Sequence, residues 1–563
     1  MGATRTLDRL AAAMGMLEAA PIEFEVVADV PTGGVLCALP ALLSFGLLRH
    51  TRQNFTLPAG YYPIETIFLV LAFLALARIG SLEALRYEAP GEWGKLLGLD
   101  RIPEVKTLRS KLGILCRDEQ RLGQWSRTLS QEWMAAEPQS AGVLYVDGHV
   151  RVYHGQLTQL PRRYVARERL CLRATTDYWV NAMDGQPFFV VTQPVDPGLI
   201  RVLEETIVPR LLAEVPGQPT PEELARDQLL HRFTIVFDRE GYSPELLARF
   251  KSQRLAAITY HKFPGAEWAL AEFSPCAVRL VNGEEVTLEM AERGVQLSNG
   301  LWVREVRHRD SRGHQTSLLS TDYRSPLMAV AARMFARWCQ ENFFKYMREH
   351  YALDRLIEYG TQPIPETTRV VNPAWRDLDR QVRRQQTLLT REQALFGALN
   401  LPTETTAPII ASHQQQKGEL LHSIQQRQSA LETLKAQRKA AGKHVLLKDL
   451  PQPDQFSQLA TGKKHLVDTI KLIAYRAETA LVHILREKME RSEDARSLVR
   501  QILQSAVDLH PDLSEKTLTV QLHRLSFQAH DQVLRHLLEE LTATETIFPG
   551  TDLRLIFQLV GSA

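Results

Sequence analysis

The sequence VLYVDGHVRVYHG, residues 143–155, decides how the rest of this 563-residue chain is organised. Apolar and aromatic β-forming residues run directly into Asp147, and β-branched residues resume shortly after it. A buried strand of this kind presents its acid at the mouth of a sheet. The same pattern recurs in FTIVFDREGY, residues 233–242, which carries Asp238. Two buried strands that each deliver one carboxylate suggest a metal site.

Length and composition predict a folded protein of about three or four domains. Hydrophobic residues make up 44% of the chain and charged residues 23%, which is ordinary for a soluble protein. The net charge of +2 neither supports nor excludes a nucleic-acid partner. The five cysteines are scattered and form no CxxC pair, which disfavours a zinc knuckle or a disulfide framework and favours a reducing cytosol.

The termini and the apolar segments predict no targeting or membrane element. The N-terminus has no long apolar segment, so we expect no signal peptide. The most apolar run, Ile67–Ala77, is too short to span a bilayer of about 30 Å as a helix. We therefore expect it to be a core helix and the protein to be cytoplasmic.

Changes of pattern along the chain divide it into six regions. We predict a helical N-terminal region with a possible helix-turn-helix, the first part of a mixed α/β core, a β-rich insertion, a core helix with a third acid, a helical hairpin and a helical C-terminal region. Their predicted bounds are 1–135, 140–260, 261–325, 326–360, 373–441 and 442–563.

The first region contains a candidate DNA-binding helix. A turn over residues 94–103 precedes a helix that bears Lys106, Arg109 and Lys111. A turn followed by a basic helix is typical of a helix-turn-helix reader. A solvated basic face on a packing helix explains the same pattern equally well.

The α/β core is predicted from strands that alternate with helices in the order β-β-β-α-β-α-β. An Asp-Gly turn at 184–185 predicts a hairpin between the second and third strands. The predicted strands are Val143–Val152, Arg169–Ala182, Pro187–Gln193, Phe233–Phe237 and Leu255–Tyr260. The first and fourth of them carry the two acids, so we expect Asp147 and Asp238 to converge.

A long helix, predicted from Pro326 to about Leu356, offers the third acid. Arg337, Glu341, Lys345 and Arg348 share one face of it, so three cations flank one carboxylate. Such cations are well placed to hold DNA phosphates. A plain surface ion-pair ladder would show the same spacing, just as an Asp that ends a strand is often only a turn former.

The histidines beside Asp147 are not predicted to bind metal. His149 and His154 are five positions apart, so on a strand they point to opposite faces. We interpret one of them as a core or edge residue and neither as a ligand.

Taken together, the three acidic segments resemble the DDE transposases of bacterial insertion sequences, whose catalytic domain is RNase H-like. Tyr-Val-Asp at 145–147 and Val-Phe-Asp at 236–238 match in local sequence and strand context. The third segment is similar to the signature Tyr-x2-Arg-x3-Glu-x6-Lys, with Arg337 and Glu341 in register. It departs from that signature at Met334 and at Arg348. The β-rich insertion before the last acid also resembles these enzymes.

The resemblance implies an enzyme that cleaves and joins DNA strands at transposon ends. Asp147, Asp238 and Glu341 would bind Mg²⁺, with Mn²⁺ as a substitute, and activate water and then a 3′-OH. It also implies a homodimer or higher assembly on DNA and a nucleoid-associated bacterial protein. Two alternatives remain: a catalytically silent, transposase-derived DNA-binding protein, and an RNase H-like nuclease in repair or defence.

The last third of the chain is predicted to be helical. Trp375–Ala398 and Gln414–Ala440 form a predicted antiparallel hairpin with a partial heptad pattern. We expect this hairpin to serve dimerisation or DNA clamping. Further helices are predicted around Lys463–Met489, Ser492–Leu509 and Val533–Leu541, and the apolar end Leu553–Val560 is predicted to be a strand or a docked tail.

Overall fold

A computed structural model describes the protein as two compact units. The first comprises residues 1–153, 163–359 and 460–563, and the second residues 154–162 and 360–459. The larger unit contains both acid-bearing strands. The structure describes all residues except positions 1–3, 156–159, 161, 166, 194–195, 282, 356, 358–360, 363–368, 402–405, 452–457, 526–529 and 562–563.

The first unit begins with a mainly helical region. Its elements are α1 (Thr6–Ala13), β1 (Val27–Val30), α2 (Leu39–Ser44), α3 (Thr51–Asn54), α4 (Ile64–Leu76), α5 (Pro90–Lys95), α6 (Val105–Leu115) and α7 (Glu119–Ala136). Eleven of the 13 residues of α4 are buried, which confirms the predicted core helix. Within the described residues, no helix combines the length and the apolar character that crossing a membrane would need.

The acid-bearing strands lie in the middle of a mixed sheet, which confirms the predicted α/β class. Its first strands are β2 (Val143–Val152), β3 (Arg162–Val165), β4 (Leu170–Asn181), β5 (Pro187–Val191), β6 (Thr234–Phe237) and β7 (Ala256–Tyr260). β4 is antiparallel to β2 and to β5, whereas β2, β6 and β7 are parallel to one another. All four residues of β6 are buried, as expected of a central parallel strand.

Helices provide the crossovers that parallel strands need. α8 (Leu199–Val202) continues through a π-helical turn into α9 (Val208–Glu214), and α10 (Pro221–Arg226) follows before β6. α11 (Pro244–Ser252) connects β6 to β7 and buries one apolar face. These crossovers place β6 parallel to the first half of β2, so that the end of β6 lies beside the middle of β2.

The β-rich insertion is present, but it continues the core sheet instead of forming a separate β layer. Its strands are β8 (Ser274–Arg279), β9 (Glu285–Gln296), β10 (Trp302–Arg309) and β11 (Gln315–Ser320). They pair as successive antiparallel hairpins, and β11 pairs antiparallel to β7. This pairing covers β7, which would otherwise leave its backbone groups at an open sheet edge.

The single long helix predicted from Pro326 is two consecutive helices. α12 (Leu327–Phe335) ends at Ala336, where α13 (Arg337–Tyr351) begins. At the junction, the Cys339 amide donates to the Ala336 carbonyl three residues back, which is the tighter 3₁₀ spacing. α13 ends at Ala352, whose φ is +48°. The predicted end at Leu356 lies outside the described residues.

The second unit is built around the predicted helical hairpin. Its elements are β12 (Thr361–Gln362), β13 (Arg369–Val371), α14 (Pro373–Ala398), α15 (Ala407–Ala441), β14 (His444–Leu446) and β15 (Gln458–Leu459). α14 and α15 pack along a narrow apolar seam of Val382, Leu389, Ile424 and Leu431. Asn372, before α14, bonds to the Ala441 carbonyl at the end of α15, so the two helices are antiparallel as predicted.

The C-terminal region is not all-helical, which corrects the prediction for residues 442–563. After the second unit it contains α16 (Gly462–Arg486), α17 (Ala495–Gln504), β16 (Val507–Asp512), β17 (Thr517–Leu522), α18 (Asp531–Ala543) and β18 (Arg554–Leu559). These strands form a sheet with β1 in the order β1-β16-β17-β18. The helix predicted to reach Leu509 ends at Gln504 because Val507 and Leu509 pair with β1, from the other end of the chain.

A buried carboxylate joins the C-terminal region to α13. Glu478 of α16 has a fully buried side chain and accepts hydrogen bonds from the hydroxyls of Tyr346 and Tyr351 on α13. Arg78, just after α4, donates to the same carboxylate at 2.8 Å, and Arg496 of α17 lies 3.6 Å away. Four segments distant in sequence therefore meet at one charge.

Candidate active site

Asp147 and Asp238 lie side by side on neighbouring central strands, where β6 ends beside the middle of β2. β2 and β6 are parallel, with Val146 opposite Phe237, so the next residue of each strand is an acid. The backbone amide of Gly148 donates to the Asp147 carboxylate at 2.8 Å, and that of Arg239 donates to Asp238 at 2.7 Å. Each carboxylate is thus oriented by the amide that follows it in the chain.

α13 brings Glu341 to the same place through Arg337. The Arg337 guanidinium donates to Asp147 at 3.3 Å and also pairs with Glu341, one turn further along the helix. The side chain of Arg337 is 15% exposed, whereas that of Glu341 is 47% exposed. One half-buried cation therefore bridges the first and third acids of the predicted set.

Burial and the neighbouring charges together shift the pKa values of Asp147 and Arg337. Burial raises the pKa of Asp147 to about 7, and the charges of Asp238 and Glu240 act in the same direction against Arg337 and the Gly148 amide. Burial would lower the pKa of Arg337, but the charges of Asp147, Asp238 and Glu341 outweigh it and raise that pKa. All three acids therefore act on one guanidinium.

The three carboxylates are not packed into a closed ligand set. Among the described residues, the one His/Cys/Asp/Glu group whose ligand atoms all lie within 4.8 Å of one another is Asp29, Asp508 and His523, far along the chain from the predicted acids. Asp147, Asp238 and Glu341 do not form such a group, and their binding of one metal ion stays a prediction. The Arg337 guanidinium lies between Asp147 and Glu341 and keeps these two carboxylates apart.

The chemistry of the donors nevertheless fits a divalent cation. Carboxylate oxygens are the ligands that Mg²⁺ prefers, and two or three of them suffice because the ion keeps several waters. Burial, and to a smaller extent the charges of Asp238 and Glu240, raise the pKa of Asp147, and positive charge between the acids opposes this shift. Arg337 supplies such charge in this structure, and a bound cation would supply it more strongly.

Gln340 fixes the start of α13 against the sheet. Its buried side-chain amide donates to the backbone carbonyls of Tyr145 and Trp179, both at 3.2 Å, and to the Asn181 side chain at 2.9 Å. Trp179 is the β4 residue opposite Asp147. The residue before Glu341 is therefore tied to the strand pair that carries Asp147.

The other two predicted cations of α13, Lys345 and Arg348, differ in exposure. Lys345 is exposed beyond Glu341, as a phosphate contact would require. Arg348 is half-buried. The hydrogen bond from His149 lowers the pKa of Asp354, and the charges of Arg167 and Arg348 act in the same direction. His149 is buried, stacks on Phe344 at 5.3 Å and bonds to Asp354 at 2.6 Å. Of the two histidines near Asp147, His149 is therefore the one that packs in the core.

The basic residues predicted in a helix-turn-helix lie on α6. Lys106 and Arg109 are exposed, and Arg109 pairs with Glu83 at 2.6 Å. Lys111 is half-buried, and burial lowers its pKa. The opposite face of α6 packs in the core through Val105, Leu108, Leu112 and Leu115.

The sequence analysis does not identify an aromatic residue that lies close to the acids. Tyr260 is the last residue of β7, next to the strand that delivers Asp238, and its ring lies 5.9 Å from the Arg337 guanidinium and 5.6 Å from that of Arg239. Its position at the end of a parallel strand is the signal that could have found it. Met334, which replaces the signature tyrosine, is buried in the core at 2% exposure.

A protein-family model matches nearly the whole chain. The model of the family described as "Transposase protein" matches residues 1–561. Comparison with curated proteins finds no match.

Proposed function

The chain belongs to this family of transposases, and on that premise we propose that it is a DDE transposase that cleaves and joins DNA strands at transposon ends. The observation that carries the proposal is the cluster of Asp147, Asp238 and Glu341 around Arg337. Two strands and a helix that are distant in sequence deliver these acids to one guanidinium. Surface ion-pair ladders, by contrast, join residues of a single helix.

The fold supports an RNase H-like core. An antiparallel β2-β4-β5 unit is followed by the parallel strands β6 and β7, with helical crossovers between them. Asp147 lies in the middle of β2, Asp238 directly follows the adjacent strand β6, and Glu341 lies on a helix that packs on the same sheet. The resemblance to DDE transposases implies three carboxylates on two neighbouring strands and one helix, as proposed for this chain.

In the proposed mechanism, Asp147, Asp238 and Glu341 would hold Mg²⁺ or Mn²⁺, which when bound supplies Lewis-acid activation of water or a 3′-OH. Arg337 pairs with the first and third carboxylates and orients them. Lys345, exposed one turn beyond Glu341, binds a DNA phosphate. Gln340 holds α13 in register with β2, so that the acids keep their relative positions.

The contacts of the site favour an active enzyme over a silent relative. Met334 is buried in the core, and all three acids of the predicted set are present. Arg348 retains the cation of the signature. Binding of DNA by α6 through Lys106 and Arg109, assembly as a homodimer and a cytoplasmic, nucleoid-associated location remain predictions.

The proposal is tested by incubating the full chain with labelled duplex DNA that carries the sequences flanking its gene, in Mg²⁺, in Mn²⁺ and in EDTA. We expect strand breaks at defined ends, and joined products with target DNA, in either metal and none in EDTA. A transposase differs here from an RNase H-like nuclease, which would degrade DNA without joined products. Cleavage that persists in EDTA, or no cleavage in any metal, would contradict the proposal.

A further inference from the structure

The outward face of α14 in the second unit carries a continuous stripe of arginines. At about 100° per residue, all five arginines of this helix fall within roughly 100° of arc and extend over roughly 22 Å of its length. We call this set the arginine stripe: Arg376, Arg380, Arg383, Arg384 and Arg391. All five are exposed, with Arg380 at 77% and Arg383 at 81%. Scattered surface charge would not follow one face of a helix.

The stripe lies opposite the face by which α14 packs on α15. That packed face contributes Val382 and Leu389 to the seam. Its acids pair with cations of α15, since Arg438 bonds to Asp379 and Arg427 bonds to Glu392, both at 2.6 Å. The cations of α15 therefore neutralise these acids inside the hairpin and leave the stripe as an outward positive face.

Two arginines of the stripe form ion pairs with acids that flank it. Arg380 pairs with Asp377 at 2.8 Å, and Arg383 shares Asp379 at 2.9 Å. Such exposed pairs contribute little and are readily exchanged for a phosphate. The other positions of the arc carry no acid, being Pro373, Thr387, Ala394 and Ala398.

We infer that the arginine stripe binds the phosphate backbone of duplex DNA, an inference that rests on the proposed function. Duplex DNA carries about one negative charge per 1.7 Å of axis, so a stripe of roughly 22 Å faces many phosphates. Arginine suits phosphate because its planar fork bonds to two oxygens at once. All the cations of α14 are arginines and none is a lysine.

The composition of the stripe disfavours other partners. A protein interface needs aromatic or aliphatic anchors at its centre, and the arc offers only alanine, threonine and proline between the arginines. Single-stranded nucleic acid is held by aromatic stacking platforms, which the arc lacks. A membrane-surface helix inserts its apolar face, whereas the apolar face of α14 is covered by α15.

The test compares two full-length triple variants that lose equal charge. One is Arg380→Gln/Arg384→Gln/Arg391→Gln in the stripe, and the control on α15 is Lys417→Gln/Lys435→Gln/Lys439→Gln. Binding to a labelled duplex of random sequence is measured by fluorescence anisotropy in EDTA between about 0.05 and 0.2 M salt. The same sequence as a single strand and vesicles of phosphatidylserine are the competing probes.

We expect the stripe variant to bind duplex on the order of tenfold to a hundredfold more weakly, with a log–log salt slope smaller by about 2 to 3, because each phosphate contact contributes about 0.9. The control should change much less. An unchanged slope, an equal loss in the control, or a loss confined to single strands or vesicles would overturn the inference. Failure here with intact Mg²⁺-dependent cleavage would leave the proposed function standing, and a smaller slope without cleavage would support the stripe alone.

Discussion

Asp147→Asn is expected to lower the rate of Mg²⁺-dependent strand cleavage by at least about a thousandfold while duplex binding stays within about twofold. Asparagine keeps the shape of the side chain and can still accept from the Gly148 amide. It removes the negative charge that would hold the metal ion, whose stabilisation of the reaction is worth several kcal/mol. Since about 1.4 kcal/mol corresponds to a tenfold rate, a loss of about three orders of magnitude follows.

Asp238→Asn and Glu341→Gln should give losses of similar size, and combining two of them should add little because the three groups act as one unit. The matched control is Glu285→Gln, an exposed acid on β9 in the insertion, which should cleave at the wild-type rate. Single-turnover kinetics on an end-labelled duplex separates the chemical step from binding. Cleavage by Asp147→Asn at more than a tenth of the wild-type rate would contradict its assignment.

Glu478→Ala is expected to lower the free energy of unfolding by about 3–5 kcal/mol, because it leaves the buried Arg78 without its counter-ion. It also removes the acceptor of Tyr346 and Tyr351, which tie α13 to α16. Urea unfolding followed by circular dichroism measures the loss. We expect this loss of stability in the unfolding transition of the first unit, which contains Glu478.

The matched control is Glu487→Ala, an exposed glutamate just beyond α16. Its substitution should change the free energy of unfolding by less than about 0.5 kcal/mol, as surface substitutions usually do. Glu478→Gln should lie between the two, because glutamine can still accept hydrogen bonds but carries no charge to balance Arg78. A change below about 1 kcal/mol in Glu478→Ala would mean that this network contributes little to stability.

Local pattern predicted the α/β core well. The strands that carry Asp147 and Asp238 and the Asp-Gly turn at 184–185 lie close to their predicted bounds because each is encoded by hydrophobic period or turn chemistry. The i, i+4 pair of Arg337 and Glu341 was likewise visible as a shared helix face.

Long-range pairing was not predictable in the same way. The helix predicted over Ser492–Leu509 includes the first residues of the strand Val507–Asp512, because the partner strand β1 lies near the other end of the chain. The join between β11 and β7 made the insertion a continuation of the core sheet. Neither pairing leaves a local signature in the sequence.

At the candidate site, the sequence could place the acids but not the cation between them. The contact of Arg337 with Asp147 joins residues 190 positions apart and depends on how α13 packs on the sheet. The break between α12 and α13 at Ala336 sets that packing, and no proline or glycine in the sequence predicts it. Gln340 lies on a helix rich in charged residues, yet its side chain is buried against two strands.

The central claim is that Asp147, Asp238 and Glu341 hold one divalent-metal centre, and metal-directed backbone cleavage tests it most directly. Fe²⁺ replaces Mg²⁺ in the full chain bound to DNA, and ascorbate with peroxide then cuts the polypeptide close to the bound ion. We expect cuts near residues 147, 238 and 341, suppressed by excess Mg²⁺ and absent in Asp147→Asn. Cuts confined to other sites, such as Asp29, Asp508 and His523, or cuts that excess Mg²⁺ does not suppress, would contradict the claim.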